Sequence, residues 1–136
     1  TIAENIQHLI LATKPLVKLF SNPEIMATNW GKSNRSSRKY KEVVALYLKH
    51  IGIPGFTTKH YTPSNMEFTK SELIGNFNNT NKSLLDKTSL LSEEDLDNYQ
   101  IPHPLIGLMT CKEFLFFTHY HTVHHLKTIR KTLENN

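Results

Sequence analysis

Apolar residues along the chain fall into helical stripes separated by polar connections. Ile2, Ile6, Leu9, Leu16 and Phe20 recur at helical steps, with Thr13 in the remaining slot. This spacing predicts a helix with one core-facing stripe. It opens on Thr1-Ile2-Ala3-Glu4, a capping-box pattern in which the threonine hydroxyl and the glutamate carboxylate each accept from an orphan backbone N–H. Pro15 removes a backbone donor and is expected to bend this helix or change its course. Tyr40, Val43, Val44, Tyr47, Leu48 and Ile51 predict a second helix from Ser37 to about Ile51, stopped by Gly52. Leu73, Ile74, Phe77, Leu84 and Leu85 predict a third, behind the box Thr69-Lys70-Ser71-Glu72 and ending between Lys87 and Leu91. The last helix starts at the box Thr110-Cys111-Lys112-Glu113 and is expected to reach about Leu133.

The stretches between these stripes are rich in helix breakers. Ser21 to Ser36 reads as a loop with Pro23 and Gly31, and Ile53 to Phe68 as a connection with Pro54, Gly55 and Pro63. Ser92 to Met109 reads as a polar linker with Pro102 and Pro104, anchored by Leu96 and Tyr99. The expected fold is all-α, with long antiparallel helices in a single domain over residues 1–136. A protein seldom opens on a capping residue, so further residues are expected ahead of Thr1.

Composition narrows the class. Hydrophobic residues make up 38% of the chain, and no apolar run reaches the roughly 18–20 residues of a membrane helix. The longest candidate, from Ile6 to Phe20, is broken by Lys14, Pro15 and Lys18. No secretory signal pattern is present. Cys111 is the single cysteine, which excludes an intrachain disulfide and leads to the expectation of a cytoplasmic protein. The net charge is +4, and Lys32, Arg35, Arg38, Lys39, Lys41 and Lys49 face one acid, Glu42. Such a run can meet a polyanion, but a solvated loop and helix face is the plainer expectation, and nucleic acid is not an expected partner.

Histidine usage is the unusual feature: five of the eight histidines lie between His103 and His125. On a helix each residue advances about 100°, so His121 and His125 lie roughly 40° apart on the face that carries Phe114 and Thr118. His124 is turned about 100° from His125, and His119 about 160° from His121. An i, i+4 pair can converge on one ion, although such pairs are also found simply solvated or hydrogen-bonded. Two ligands bind weakly, so a metal site needs a third. His8 is the best candidate, on the flank of the Ile2–Leu9–Leu16 stripe beside Asn5 and Ala12. His50 and His60 are expected to be exposed near loops, and His103 to pack structurally.

These residues carry a resemblance. The run from Pro102 to Glu113 resembles the entry to the last helix of the DinB-like superfamily, and Phe117-Thr118-His119-Tyr120-His121-Thr122-Val123-His124-His125-Leu126 resembles its metal-binding signature. Thr1 to Leu9 is similar to the start of that family's second helix, and Gly31 to Tyr40 to a linker in one of its branches. The resemblance implies an up-down four-helix bundle with long connections and one metal ion on His8, His121 and His125. It also implies a long helix ahead of the one at Thr1, which this sequence does not include, and makes the Ser37–Ile51 helix an insertion.

Three histidines with an open position are the pattern of a catalytic metal site. Imidazole suits several divalent transition metals, with zinc or nickel the first expectation and iron the next. Relatives implied by the resemblance include thiol-dependent transferases and isomerases. The expected function is therefore a metal-dependent thiol S-transferase or hydrolase acting on a small molecule, with a low-molecular-weight thiol as partner and a homodimer as one possible assembly. The alternative is a non-catalytic metal-binding or stress-related module. The sequence supplies no evident general base: Glu4 points away from His8, and Glu113 is occupied by its capping box. Cys111 is expected to be a structural residue rather than a nucleophile with a lowered pKa.

Overall fold

Capping chemistry sets the ends of the long helices. A computed structural model describes residues 1–51 and 67–136, and in it α1 runs from Ile2 to Phe20, α3 from Tyr40 to His50, α4 from Lys70 to Thr88 and α6 from Cys111 to Glu134. The three predicted boxes all form, with Thr1, Thr69 and Thr110 accepting from the N–H of Glu4, Glu72 and Glu113. Helix α1 continues through Pro15 without interruption. The predicted stop at Gly52, the connection from Ile53 to Met66 and His60 lie outside the described residues.

Two connections hold more structure than the sequence reading expected. Within the predicted loop Ser21–Ser36, Pro23 to Trp30 form a short helix, α2. Proline is at its first position, where the missing N–H costs nothing. Gly31, at φ 64°, ends it in a conformation that side chains resist. The predicted linker contains helix α5, Glu93–Asn98, capped by Ser92, and an antiparallel hairpin of β1, Gln100–His103, and β2, Gly107–Thr110. Ile101 pairs with Met109 in register, and both are buried in the core. The hairpin turn is closed by a side chain: the N–H groups of Leu105 and Ile106 donate to His103 Nδ1 at 3.1 and 3.3 Å.

Helix α1 packs against α4 and α6, and α6 against α3. The architecture is thus the expected all-α bundle, with the hairpin as a small addition packed on α2 and α6. The core gathers Leu16, Phe20, Met26, Val43, Tyr47, Leu84, Met109, Phe114 and Phe117. The stripe reading is corrected on α4, where Leu73, Thr80 and Leu84 are buried while Leu85 is 68% exposed. Helix α4 is polar around most of its circumference, so apolar spacing alone did not separate the buried Leu84 from the exposed Leu85.

The start of α6 is held by charge. Glu113 is fully buried and receives the guanidinium groups of Arg35 and Arg38, together with the N–H of Thr110 and of Arg38. Two residues of the basic run thereby neutralise an internal carboxylate rather than only facing solvent. Burial pushes the Glu113 carboxyl up, but the Arg35 guanidinium and the backbone N–H groups of Thr110 and Arg38 together outweigh it and hold the carboxyl below its ordinary range. Next to it, Ser37 Oγ donates to Asp97 and lies 2.8 Å from Thr110 Oγ1, and Lys112 bridges Asp97 and Glu93. These contacts tie the segment before α3 to α5 and to the first turn of α6.

Candidate metal site

The packing of α1 on α6 brings together residues more than a hundred positions apart. His8 comes from the second turn of α1, and His121 and His125 from successive turns of α6. His8 Nε2 lies 3.0 Å from His121 Nε2, which lies 3.1 Å from His125 Nε2. One ligand atom from each residue fits within 4.8 Å of the other two. His121 is buried and the other two are partly exposed, so the cluster has a dry floor and a wetter rim.

The donor set fits a metal ion. Bonds of about 2.0–2.1 Å at tetrahedral angles separate ligand nitrogens by about 3.3 Å, close to the two short edges observed here. Three lone pairs aimed at one point repel each other unless a proton or a cation lies between them. Two of the imidazoles, those of His121 and His125, are also held in the neutral form that ligation requires. Burial, then the neighbouring His125 and His8, pushes His121 down to about 2. Burial, then His8 and His124, pushes His125 down to about 4.

The surroundings are aromatic. Phe117, one turn before His121, stacks on its ring with centroids 4.9 Å apart and planes 20° apart. Tyr47 of α3 stands edge-on to His121 at 6.0 Å and to Phe117 at 5.1 Å. Its phenol is pushed up by burial first and by Tyr120 second. Asn5, one turn before His8, meets His125 Nδ1 at 2.6 Å. Sequence reasoning placed Asn5 beside His8 only as a source of room and polarity. It missed Tyr47 and Phe117 as site neighbours, although Phe117 lies at the i−4 position from His121 and could have been found from helical spacing.

The remaining described histidines stay out of the cluster. His119 Nδ1 is 3.3 Å from the Tyr40 hydroxyl, and His124 packs beside Tyr120 and Tyr47. His103 is buried under the hairpin turn against Phe117, and burial with His50 nearby pushes it down to about 4. His50, part-buried rather than exposed, donates from Nδ1 to Leu46 O. Cys111 is fully buried and its thiol donates to Met26 Sδ at 3.6 Å. Burial pushes that thiol up to about 12, with Asp95 adding to the effect. Its position at a helix start therefore does not make it reactive, because desolvation dominates. Glu4 is exposed and bound to its own helix start, and Glu113 is locked between arginines. Among the described residues no carboxylate joins the histidine group.

A helical bundle with three histidine side chains converging between its first and last long helices defines a class of protein: one whose donor set can hold a single metal ion. The profile of the DinB superfamily matches residues 1–129. The chain belongs to the DinB superfamily. No curated protein and no solved structure matches it.

Proposed function

We propose that this protein binds one divalent transition metal ion through Nε2 of His8, His121 and His125 and is a metal-dependent enzyme of the thiol S-transferase or hydrolase type. The observation that carries the reading is the convergence of three imidazole nitrogens from two helices on one point, at 3.0 and 3.1 Å along two edges. Zinc or nickel is the preferred ion, with iron next, and an all-nitrogen set suits each of them. Such an ion supplies Lewis-acid chemistry, polarising a carbonyl or making a water or thiol easier to deprotonate.

The chain's own contribution is positional. His121 is fixed from below by Phe117 and Tyr47, while the partly exposed His8 and His125 form the side from which a small molecule approaches. Neutral imidazoles leave the ion its full positive charge, which favours an anionic thiolate as ligand. A low-molecular-weight thiol is therefore the preferred partner, and its own sulfur supplies the nucleophile that the buried Cys111 does not. Cytoplasm, where such thiols are kept reduced, is the preferred setting.

The absence of a carboxylate from the cluster among the described residues supports a second reading, a non-catalytic metal-binding module. Elemental analysis of purified protein and of His121→Ala tests the site: about one ion per wild-type chain and none in the variant is expected. Unchanged metal in His121→Ala would refute the ligand assignment. Loss of a model electrophile accelerated by a small thiol only in metal-loaded protein separates the enzyme from the binding module.

A further inference from the structure

We propose that Asn5 is a positioning residue: it fixes the tautomer and ring orientation of His125 so that the Nε2 lone pair faces His121 and His8. The inference concerns the polar contact behind the cluster, and its bearing on metal affinity rests on the site reading above.

The direction of the contact follows from both ends of the Asn5 amide. Its Nδ2 donates to the Thr1 carbonyl at 2.8 Å, which assigns the other terminal atom as Oδ1. That oxygen lies 2.6 Å from His125 Nδ1. A carbonyl oxygen only accepts, so the proton between them belongs to His125 Nδ1. A neutral imidazole protonated at Nδ1 has its lone pair on Nε2, the atom 3.1 Å from His121 Nε2.

Helical spacing makes the arrangement possible. Asn5 and His8 are three residues apart on α1 and share a face, so both reach α6 at the level of His125. Helix α1 thereby supplies both a member of the cluster and the group that aims another member. His121 is held differently, by burial and by the stacked ring of Phe117. His125, at the partly exposed rim, has greater need of a directional hydrogen bond. Outer partners of this kind set ligand basicity and orientation, and removing one typically costs about 10–100-fold in metal affinity.

Two readouts on full-length chain test the inference. In chelator-treated protein, nitrogen chemical shifts of the His125 ring are expected to show a proton on Nδ1 in wild type and in Asn5→Asp, and a shift toward the Nε2-protonated form in Asn5→Ala. In zinc competition against a chromophoric chelator, Asn5→Ala is expected to bind about 10–100-fold more weakly. Asn5→Asp keeps the acceptor but loses the donor to Thr1, so it is expected to restore wild-type affinity or exceed it. A merely structural role would weaken both variants alike, because both lose the Thr1 contact. The proposal is overturned if the His125 proton sits on Nε2 in wild type. It is equally overturned if Asn5→Asp binds zinc as weakly as Asn5→Ala, or if Asn5→Ala binds as tightly as wild type. If wild type takes up no zinc while its His125 remains protonated at Nδ1, the metal reading fails and the orienting contact stands.

Discussion

Arg35 grips Glu113 with two parallel hydrogen bonds, Nη2 to Oε1 at 2.8 Å and Nη1 to Oε2 at 3.1 Å, across 78 positions of sequence. The carboxylate end is fully buried while the arginine is one-third exposed. Fork-to-fork pairs of this kind are directional, and breaking one leaves a buried charge without compensation. Glu113→Gln is expected to destabilise the fold by about 3 kcal/mol at pH 7 in urea titration. The sign with pH follows from the lowered Glu113 pKa. The carboxylate's contribution is present above its ordinary value of 4.5 and is lost as pH falls through its lower folded value. The gap between wild type and Glu113→Gln should therefore narrow in acid, and a gap that widens below pH 4 would contradict the assignment.

Metal uptake should discriminate between adjacent histidines. His125→Ala is expected to lose most of its zinc affinity, whereas His124→Ala and His119→Ala should bind as wild type, since their rings lie outside the cluster. Zinc should raise the melting temperature of wild type in proportion to the logarithm of free zinc beyond saturation. The shift should vanish in His125→Ala, as differential scanning fluorimetry with chelator controls would read.

His103 predicts a separate acid sensitivity. Its folded pKa is about 4 against an ordinary 6.5, so the unfolded chain takes up a proton that the folded chain refuses. The stabilisation is complete above pH 6.5 and declines as pH falls toward 4, by about 3 kcal/mol at most. His103→Asn retains a side-chain acceptor for the hairpin turn and removes the titration. Urea midpoints at pH 7.5 and 4.5 should differ less in that variant than in wild type. An identical pH slope in the two proteins would count against this account.

Cys111 should behave as a core atom. With the thiol fully buried and its pKa near 12, aromatic disulfide reagents should label it only at the rate of global opening. Cys111→Ala, which leaves a small cavity beside Met26, is expected to cost about 1–2 kcal/mol without altering metal content. Stoichiometric labelling within seconds under native conditions would exclude this placement.

Much of the architecture was legible because it is local. Each long helix carries its own apolar stripe, and three of them carry a hydroxyl followed three residues later by glutamate. Helix α2 left the signals Pro23 and Gly31: each alone is a loop former, but their order, proline at the start and glycine past the end, is that of a helix. The Ser92–Asp95 cap was likewise present in the sequence. The hairpin was not legible, because each strand has only four residues and β1 contains Pro102; its stability comes from packing Ile101 and Met109 into the core. The grip of Arg35 and Arg38 on Glu113 was hidden for another reason. A run of positive charge looks solvated until its partner arrives from a distant helix. At the site, spacing selected His121 and His125 and the stripe of α1 offered His8. The role of Asn5 required knowing which turn of α1 meets which turn of α6.

The His8–His121 contact joins positions 113 residues apart. Any bond that holds those two rings together closes most of the chain into a single loop and restricts the unfolded ensemble as a cross-link would. The chain-entropy model assigns about 4.7 kcal/mol to a loop of 100 residues. A chemical centre placed there doubles as a staple between the ends of the sequence. An ion held at that point would therefore bear on the mechanical cohesion of the bundle, whatever chemistry it performs.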